Sequence, residues 1–127
     1  MKILIVDDSA LQQRMLKDTL TKLGYSDFLF AGDFQTALKL FDEHLPDLVL
    51  LDVMLPGKSG MEVFRALRSR RPVPVVMVTG ISMQAFQDSL ERLDLPQSEI
   101  KIQHPVYVTK PFTAEQLEAA IKESINT

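Results

Sequence analysis

The chain contains no cysteine and no tryptophan among its 127 residues. Without cysteine it can form neither a disulfide framework nor a thiolate nucleophile, which fits a reducing compartment. It also lacks an excess of positive charge, because 14 Lys and Arg against 17 Asp and Glu give a formal net charge of -3. We therefore expect no direct nucleic-acid binding by this chain, since such binding depends on cations that neutralise phosphates.

Long hydrophobic runs are missing as well. No apolar stretch approaches the ~18 residues that a membrane span requires. The first run, KILIV, meets two aspartates at once, which is too early for the apolar region of a signal peptide. We expect a cytoplasmic protein that does not contact the membrane. The length of 127 residues favours one domain, residues 1–127, with a single core.

Short apolar runs alternate with helical patterns along the whole chain. Several runs are apolar at every position, which is typical of parallel strands covered on both faces. The predicted strands are Ile3–Val6, Phe28–Ala31, Leu48–Leu51, Val73–Val78 and Val106–Val108. Strands that are each followed by a helix predict right-handed βαβ units and a doubly wound α/β sheet.

Helix boundaries are marked by capping and stop signals. Three pairs match a capping box at a helix start, namely Ser9 with Gln12, Ser59 with Glu62, and Thr113 with Gln116. Helix stops are predicted at Gly24 and Pro46, and a buried stripe of the last helix at Leu117, Ile121 and Ile125. The basic cluster Arg65–Arg71 falls near a predicted helix end, where cations complement the helix dipole.

Polar side chains follow four of the five predicted strands, at the edge where doubly wound sheets bind ligands. Asp7 and Asp8 follow the first strand, Asp52 the third, Thr79 the fourth, and Lys110 with Pro111 the fifth. A single aspartate at a strand end is commonly a cap or a loop residue. Chance alone would rarely bring five polar groups to one edge. We therefore predict that they form one site.

The residue types in this site predict phosphoryl chemistry. Three carboxylates and one lysine leave a charge of about -2, and a divalent cation would restore the balance. We expect Mg²⁺, which prefers oxygen ligands, held by Asp7 and Asp8. No His or Cys lies in these motifs, which argues against zinc. Asp52, on the middle strand, is the expected nucleophile, and Thr79 could reach an oxygen of the resulting aspartyl phosphate.

Four motifs in chain order, IVDDS, LLDVMLPGKSG, VMVTG and YVTKPF, resemble the receiver domain of bacterial two-component response regulators. The resemblance covers the whole chain and is to a stand-alone receiver of the chemotaxis-regulator type. It implies a flavodoxin-like (βα)5 fold with strand order 2-1-3-4-5. It also implies that Asp52 accepts a phosphoryl group, with Mg²⁺ bound, from a sensor histidine kinase or a histidine phosphotransfer protein.

The same resemblance implies roles for individual residues. The metal ligands would be Asp7, Asp8, Asp52 and the backbone carbonyl of Met54. The switch residues would be Thr79 and Tyr107, the phosphate-contacting residue Lys110, and the cis proline Pro111. Phosphorylation would reshape the face formed by the fourth helix, the fifth strand and the fifth helix, which would bind a downstream protein.

The sequence departs from the family pattern in two places. The segment between Thr79 and Lys110 is longer than expected by about two helical turns. We hypothesise either an unusual partner surface around Pro96–Gln103 or a tolerated surface insertion. Beside the site, Met54 and Ile81 are apolar and lack groups that position a hydrolytic water. We therefore expect slow self-dephosphorylation.

Other interpretations stay open at this point. The chain could be a Mg²⁺-dependent phosphatase or phosphotransferase that uses Asp52 transiently, although Val53 and Met54 supply no second acid. It could also be a binding module that is never phosphorylated. We expect a signalling switch rather than an enzyme. It could be a complete regulator that acts by protein contact, or one part of a longer protein with its own output domain.

Overall fold

Strands and helices alternate along the chain. The computed structural model describes residues 1–52, 60–80 and 106–125. Its elements are β1 Lys2–Val6, α1 Ala10–Lys22, β2 Asp27–Ala31, α2 Phe34–His44, β3 Leu48–Leu51, α3 Gly60–Arg70, β4 Val75–Thr79, β5 Val106–Thr109 and α4 Ala114–Ile125. Within these ranges, no helix combines the length and the apolar character that a membrane crossing requires.

The strands of the described residues form one parallel sheet in the order β2-β1-β3-β4-β5. Val6, near the end of β1, aligns with Ala31 of β2 on one side and with Leu51 of β3 on the other. The doubly wound fold and the strand order expected above are therefore confirmed. The strand order reverses between β1 and β3, and this reversal marks the usual ligand position of such sheets.

Alternate strand residues enter two hydrophobic cores, one on each face of the sheet. Leu4 and Val6 pack with residues of α2 and α3 on one face. Ile3 and Ile5 pack with residues of α1 and α4 on the other. Both faces of β1 and β3 are thus covered by helices. This double coverage is the reason why the central strands are apolar at every position.

The predicted strand bounds agree with the structure to within one residue, except at the start of β4. The sequence indicated Val73–Val78, whereas β4 runs from Val75 to Thr79. Val73 is buried like a strand residue, at 1% exposed, but Pro74 follows it and has no N–H to donate to a ladder. The carbonyl of Pro74 still accepts the N–H of Val49 at 3.0 Å.

Two of the predicted caps form. At the start of α4, Thr113 and Gln116 exchange reciprocal hydrogen bonds of 3.0 and 3.1 Å between side chain and backbone. At the start of α1, Ser9 Oγ accepts the N–H of Gln12 at 3.3 Å. The second half of that box is replaced, because the N–H of Ser9 donates to Asp7 instead.

The basic cluster Arg65–Arg71 lies at the end of α3, as predicted, and part of it serves local structure. Arg70 forms an ion pair with Asp42 of α2 at 3.1 Å. The guanidinium of Arg68 donates to the carbonyl of Val73 at 2.9 Å. These contacts hold the C-terminal end of α3 against its neighbours.

The buried stripe predicted for the last helix is wrong at its third position. Leu117 and Ile121 are fully buried, but Ile125 is 42% exposed. Ser124, in the same last turn of α4, is buried. The turn therefore still packs against the rest of the protein, and only the side of it that carries Ile125 faces solvent.

Some predictions lie outside the described residues. They concern the capping residue Ser59, the carbonyl of Met54, the residue Ile81, the side chain of Thr79, and the long segment 81–105 with the predicted fourth helix.

We expect Leu45→Gly to stabilise the protein. Leu45 caps the C-terminus of α2 in the left-handed conformation, with φ 49° and ψ 62°, which strains any residue with a Cβ. Its side chain is 59% exposed, so glycine would lose little burial. The free energy of unfolding in urea should rise by about 0.5 to 1 kcal/mol.

The matched control is Leu23→Gly, because Leu23 caps α1 in the right-handed conformation with φ -82°. This change should lower the same free energy by at least about 0.5 kcal/mol. Equal losses in both variants would contradict the strain at Leu45.

Candidate functional site

Three carboxylates meet at the carboxyl ends of β1 and β3. Asp7 and Asp8 directly follow β1, and Asp52 directly follows β3. Each of them places one carboxylate oxygen within 4.8 Å of the other two. Asp7 is 1% exposed and Asp52 is 9% exposed, whereas Asp8 is exposed. The cluster therefore has two buried members and one member that is open to solvent.

Lys110 brings a positive charge to this cluster from the end of β5. Its Nζ lies 3.0 Å from Oδ2 of Asp7 and 3.6 Å from Oδ2 of Asp52. The lysine side chain is only 18% exposed, so water screens these pairs less than it screens pairs on the surface. Lys110 thus joins the carboxylates that follow two different strands. The Lys110–Pro111 peptide bond is cis, which is the isomer implied by the resemblance.

Asp7 is held by contacts at each of its polar atoms. Its N–H donates to the carbonyl of Ala31 at 2.9 Å. Its carbonyl accepts the Gln13 side-chain amide at 2.7 Å, and its Oδ1 accepts the N–H of Ser9 at 3.0 Å. Because Lys110 occupies Oδ2, this buried carboxylate is fully hydrogen-bonded, as burial of a charge requires.

Asp52 lies at the centre of the edge, because β3 is the middle strand of the sheet. Its N–H donates to the carbonyl of Val6 at 2.9 Å, which fixes its backbone against the end of β1. This bond continues the ladder that pairs Val6 with Leu51 one residue earlier. The apolar strand β3 therefore places the Asp52 carboxylate at the point where β1 and β5 also present polar groups.

The donor set suits a small divalent cation. Three carboxylates and one ammonium leave about two negative charges in a partly buried space, and like charges so close together repel one another. The three aspartates are grouped closely enough to hold a metal ion. All of their donor atoms are oxygen, which Mg²⁺ prefers.

The sequence pattern of the response regulator receiver domain matches residues 3–122. The chain belongs to the response regulator receiver domain family. Receiver domains are signalling switches rather than classical enzymes, and they generally bind Mg²⁺ at an aspartate cluster of this kind. The family resemblance and the signalling function expected from the sequence are thereby confirmed.

Similar proteins of known sequence and structure agree with this membership. The chain is 36% identical over 121 residues to the probable transcriptional regulator ycf27 of Porphyridium aerugineum, an alignment that covers 95% of the chain and 46% of the relative. The chain thus spans less than half the length of that curated relative.

Solved receiver domains share the fold along nearly the whole chain. The receiver domain of NtrX from Brucella abortus is 25% identical, with a TM-score of 0.79 and 99% of both chains covered. The CheY-like receiver domain protein from Methanospirillum hungatei JF-1 is 27% identical, with a TM-score of 0.77, 98% of this chain covered and 93% of that chain.

The other residues predicted for the receiver site are not all in the cluster. Thr79 ends β4 and aligns with Thr109 of β5, which places its backbone at the same edge. Tyr107 lies on β5, half-buried, and packs against the core on the α2 and α3 face. The structure therefore assembles Asp7, Asp8, Asp52 and Lys110.

Gln13 is a site residue that the sequence analysis missed. It lies on the second turn of α1 and supports Asp7 through the backbone carbonyl rather than through the carboxylate. No motif marks a glutamine that bonds a main-chain atom six positions earlier. Only the fold, which turns α1 back beside the end of β1, brings the two groups together.

We expect Gln13→Met to weaken this end of β1. Methionine keeps most of the side-chain volume but cannot donate to the Asp7 carbonyl, and a buried acceptor without a donor costs about 1 to 3 kcal/mol. Urea unfolding should show a loss of that size, and Mg²⁺ affinity measured by calorimetry should fall about tenfold.

The matched control is Gln12→Met, one position earlier on the same helix. The N–H of Gln12 bonds Ser9 through the backbone, which the substitution retains. If both variants bind Mg²⁺ as the unchanged chain does, Gln13 has no role in holding the site.

Proposed function

We propose that residues 1–127 form a receiver domain in which Asp52 is the phosphoacceptor. The observation that supports this most is the position of Lys110, whose ammonium lies between the Asp7 and Asp52 carboxylates and is largely shielded from water. A partly buried cation beside a nucleophilic carboxylate can neutralise the oxygens of a transferring phosphoryl group. The histidine kinases or phosphotransfer proteins that serve receiver domains supply such a group as phosphohistidine.

The proposed reaction is an in-line displacement at phosphorus. A carboxylate oxygen of Asp52 forms the new P–O bond while the P–N bond to the donor imidazole breaks, and the electron pair of that bond returns to the imidazole nitrogen. Lys110 would move its contact from the carboxylate to a phosphoryl oxygen. The product is an aspartyl phosphate, and no further substrate is consumed.

The aspartates would also hold the metal. Asp7, Asp8 and Asp52 supply carboxylate oxygens, and the resemblance adds the backbone carbonyl of Met54. When bound, Mg²⁺ would offset negative charge on the phosphoryl oxygens. Asp8, the exposed member of the cluster, is the ligand that an incoming ion can reach directly, whereas Asp7 is already fixed by protein contacts.

The proposed response to phosphorylation passes through Thr79 and Tyr107. The phosphoryl group adds about -1.5 to -2 of charge and three acceptor oxygens at the end of β3. The Thr79 hydroxyl would turn toward these oxygens, and Tyr107 would turn inward behind it. Because Tyr107 lies on β5 and Lys110 directly follows that strand, this change would reach the face formed by the predicted fourth helix, β5 and α4.

That face is the proposed surface for a downstream protein. The relative from Porphyridium aerugineum is named a probable transcriptional regulator, and a receiver of this kind could control such an output through protein contact. For this chain we propose a cytoplasmic location, a histidine kinase or phosphotransfer protein as the phosphoryl source, and no nucleic-acid contact of its own.

The decisive experiment measures the intact mass of the protein after incubation with Mg²⁺ and a small phosphoryl donor such as acetyl phosphate. We expect one added phosphoryl group, because the site has a single central nucleophile. The adduct should be absent in Asp52→Asn and absent when the metal is chelated.

A fluoride-based phosphoryl mimic extends the same experiment to a rapidly hydrolysed product. The mimic should bind the unchanged chain in the presence of Mg²⁺, and it should not bind the Lys110→Met variant. A chain that forms no adduct and binds no mimic would be a receiver-shaped binding module. An adduct that persists in Asp52→Asn would assign the phosphoacceptor to another residue.

We also propose that the aspartyl phosphate of this chain is long-lived. Met54 and Ile81 are apolar and offer no group to orient an attacking water. The double variant Met54→Asn with Ile81→Glu should lose its phosphoryl group at least about tenfold faster, by analogy with the 10² to 10⁴ that positioned acid–base groups contribute. The matched control, Met54→Leu with Ile81→Val, should keep the original decay rate of the phosphorylated mass. Equal decay in both variants would contradict the proposal.

A further inference from the structure

The edge strand β2 presents two phenylalanines that the phosphoacceptor site does not use. Phe28 and Phe30 are two positions apart, so their side chains lie on the same face of the strand. Their ring centroids are 6.4 Å apart. Phe28 is half-buried against the core formed with α1 and α4, whereas Phe30 is 37% exposed.

The backbone of these two residues points away from the sheet. The carbonyl of Ala31 accepts the N–H of Asp7, so Ala31 bonds toward β1. Along a parallel strand every second residue bonds to the same neighbour, which directs Asp27 and Leu29 toward β1 as well. The N–H and C=O groups of Phe28 and Phe30 therefore face outward. In the described part of the chain, β2 is the end of the sheet on that side.

The alternation on β1 supports this assignment independently. The carbonyl of Val6 accepts the N–H of Asp52, so Val6 bonds toward β3. Asp7, the next residue, bonds toward β2. Both strands thus follow the same two-residue period up to their last residues.

Three of the features that protect an edge strand are missing from β2. Its sequence, DFLFA, contains no lysine and no proline, and its five residues pair one to one with β1 without a bulge. Lysine, proline and bulges are among the features by which natural proteins prevent pairing between edges. The only charge on the strand is at its first residue, Asp27.

We propose that β2 pairs antiparallel with β2 of a second copy of this chain, around a twofold axis at Leu29. This register places Phe28 opposite the partner's Phe30 and the reverse, so the four outward N–H groups find the four outward carbonyls. The two cross-strand phenylalanine pairs lie on one face and add aromatic packing.

The sequence of the strand favours a second copy over an unrelated strand. Phe28 and Phe30 are placed symmetrically about Leu29, so a second copy in this register puts a phenylalanine opposite each phenylalanine. Asp27 lies opposite the partner's Ala31, so the two aspartates are at opposite ends of the pair and do not repel each other closely.

The pair would be weak and would leave both phosphoacceptor sites accessible. Five residues per copy bury less than the ~1,200 Å² of stable complexes, so the dimer should form only at high protein concentration. Because the strands are antiparallel, the sites of the two copies would lie at opposite edges of the joined sheet. The association does not depend on phosphorylation.

Amide hydrogen exchange of the 127-residue chain, followed by NMR over a hundredfold range of concentration, tests the proposal. The amides of Phe28 and Phe30 should exchange at least threefold more slowly at the highest concentration. The amide of Leu29 already bonds within the sheet, so its exchange rate should change less. Sedimentation velocity should show the dimer over the same range.

Two variants and one control identify the surface. Phe30→Pro removes an outward N–H while every bond from β2 to β1 is retained, and Phe30→Lys adds an edge charge; each should weaken dimerisation at least tenfold. Leu45→Lys introduces the same charge at a different exposed apolar residue, which lies beyond α2. It should leave dimerisation unchanged. A chain that stays monomeric throughout, or a dimer that both Phe30 variants retain, would overturn the proposal. Protection of the Phe28 and Phe30 amides that appears only with a different protein added would also overturn it.

Discussion

The structure of the site depends on the contact of Lys110 with two carboxylates that follow different strands. Without it, Asp7, Asp8 and Asp52 would place three negative charges within 4.8 Å of one another, two of them buried. Charges removed from water require partners of opposite sign or hydrogen-bond donors. Lys110 supplies both to Asp7 at 3.0 Å and is within ion-pair distance of Asp52 at 3.6 Å. The end of β5 is thereby tied to the ends of β1 and β3.

That contact is available only because the sheet is parallel and covered on both faces. Parallel strands end together at one edge, so residues as distant in sequence as Asp7 and Lys110 become neighbours. Helices on both faces exclude water from the strands and from the base of the cluster. The arrangement requires a loop that reverses the chain after each helix, and such a loop can strain the backbone locally. At Leu45 the reversal places a leucine in the left-handed conformation.

The parts of the fold that the sequence predicted are those with a periodic or repeated physical cause. Continuous apolar runs indicated strands buried on both faces, and the polar residues after them indicated the edge where they converge. Capping pairs such as Thr113 with Gln116 are local, so they could be predicted without the fold. The family resemblance added the strand order, which periodicity alone does not specify.

The features that the sequence did not predict depend on relations between elements. The start of β4 was misplaced because Val73 is as buried as a strand residue although Pro74 keeps it out of the ladder. Ile125 fits the apolar period of its helix, yet its side chain is exposed whereas that of its neighbour Ser124 is buried. Gln13 could be recognised only once α1 lay beside the end of β1.

The two aspartates after β1 differ in a way that bears on how the proposed switch could work. Asp7 has a partner at every polar atom, and its position is set by β2, α1 and β5 together. Asp8, in contrast, is exposed to solvent. A site built from one fixed and one open carboxylate can keep its geometry while an ion enters or leaves. Lys110 is then the group that must respond, because it contacts both the fixed Asp7 and the acceptor Asp52. Its strand also carries Tyr107, so under the proposed function a change of charge at Asp52 acts first on β5.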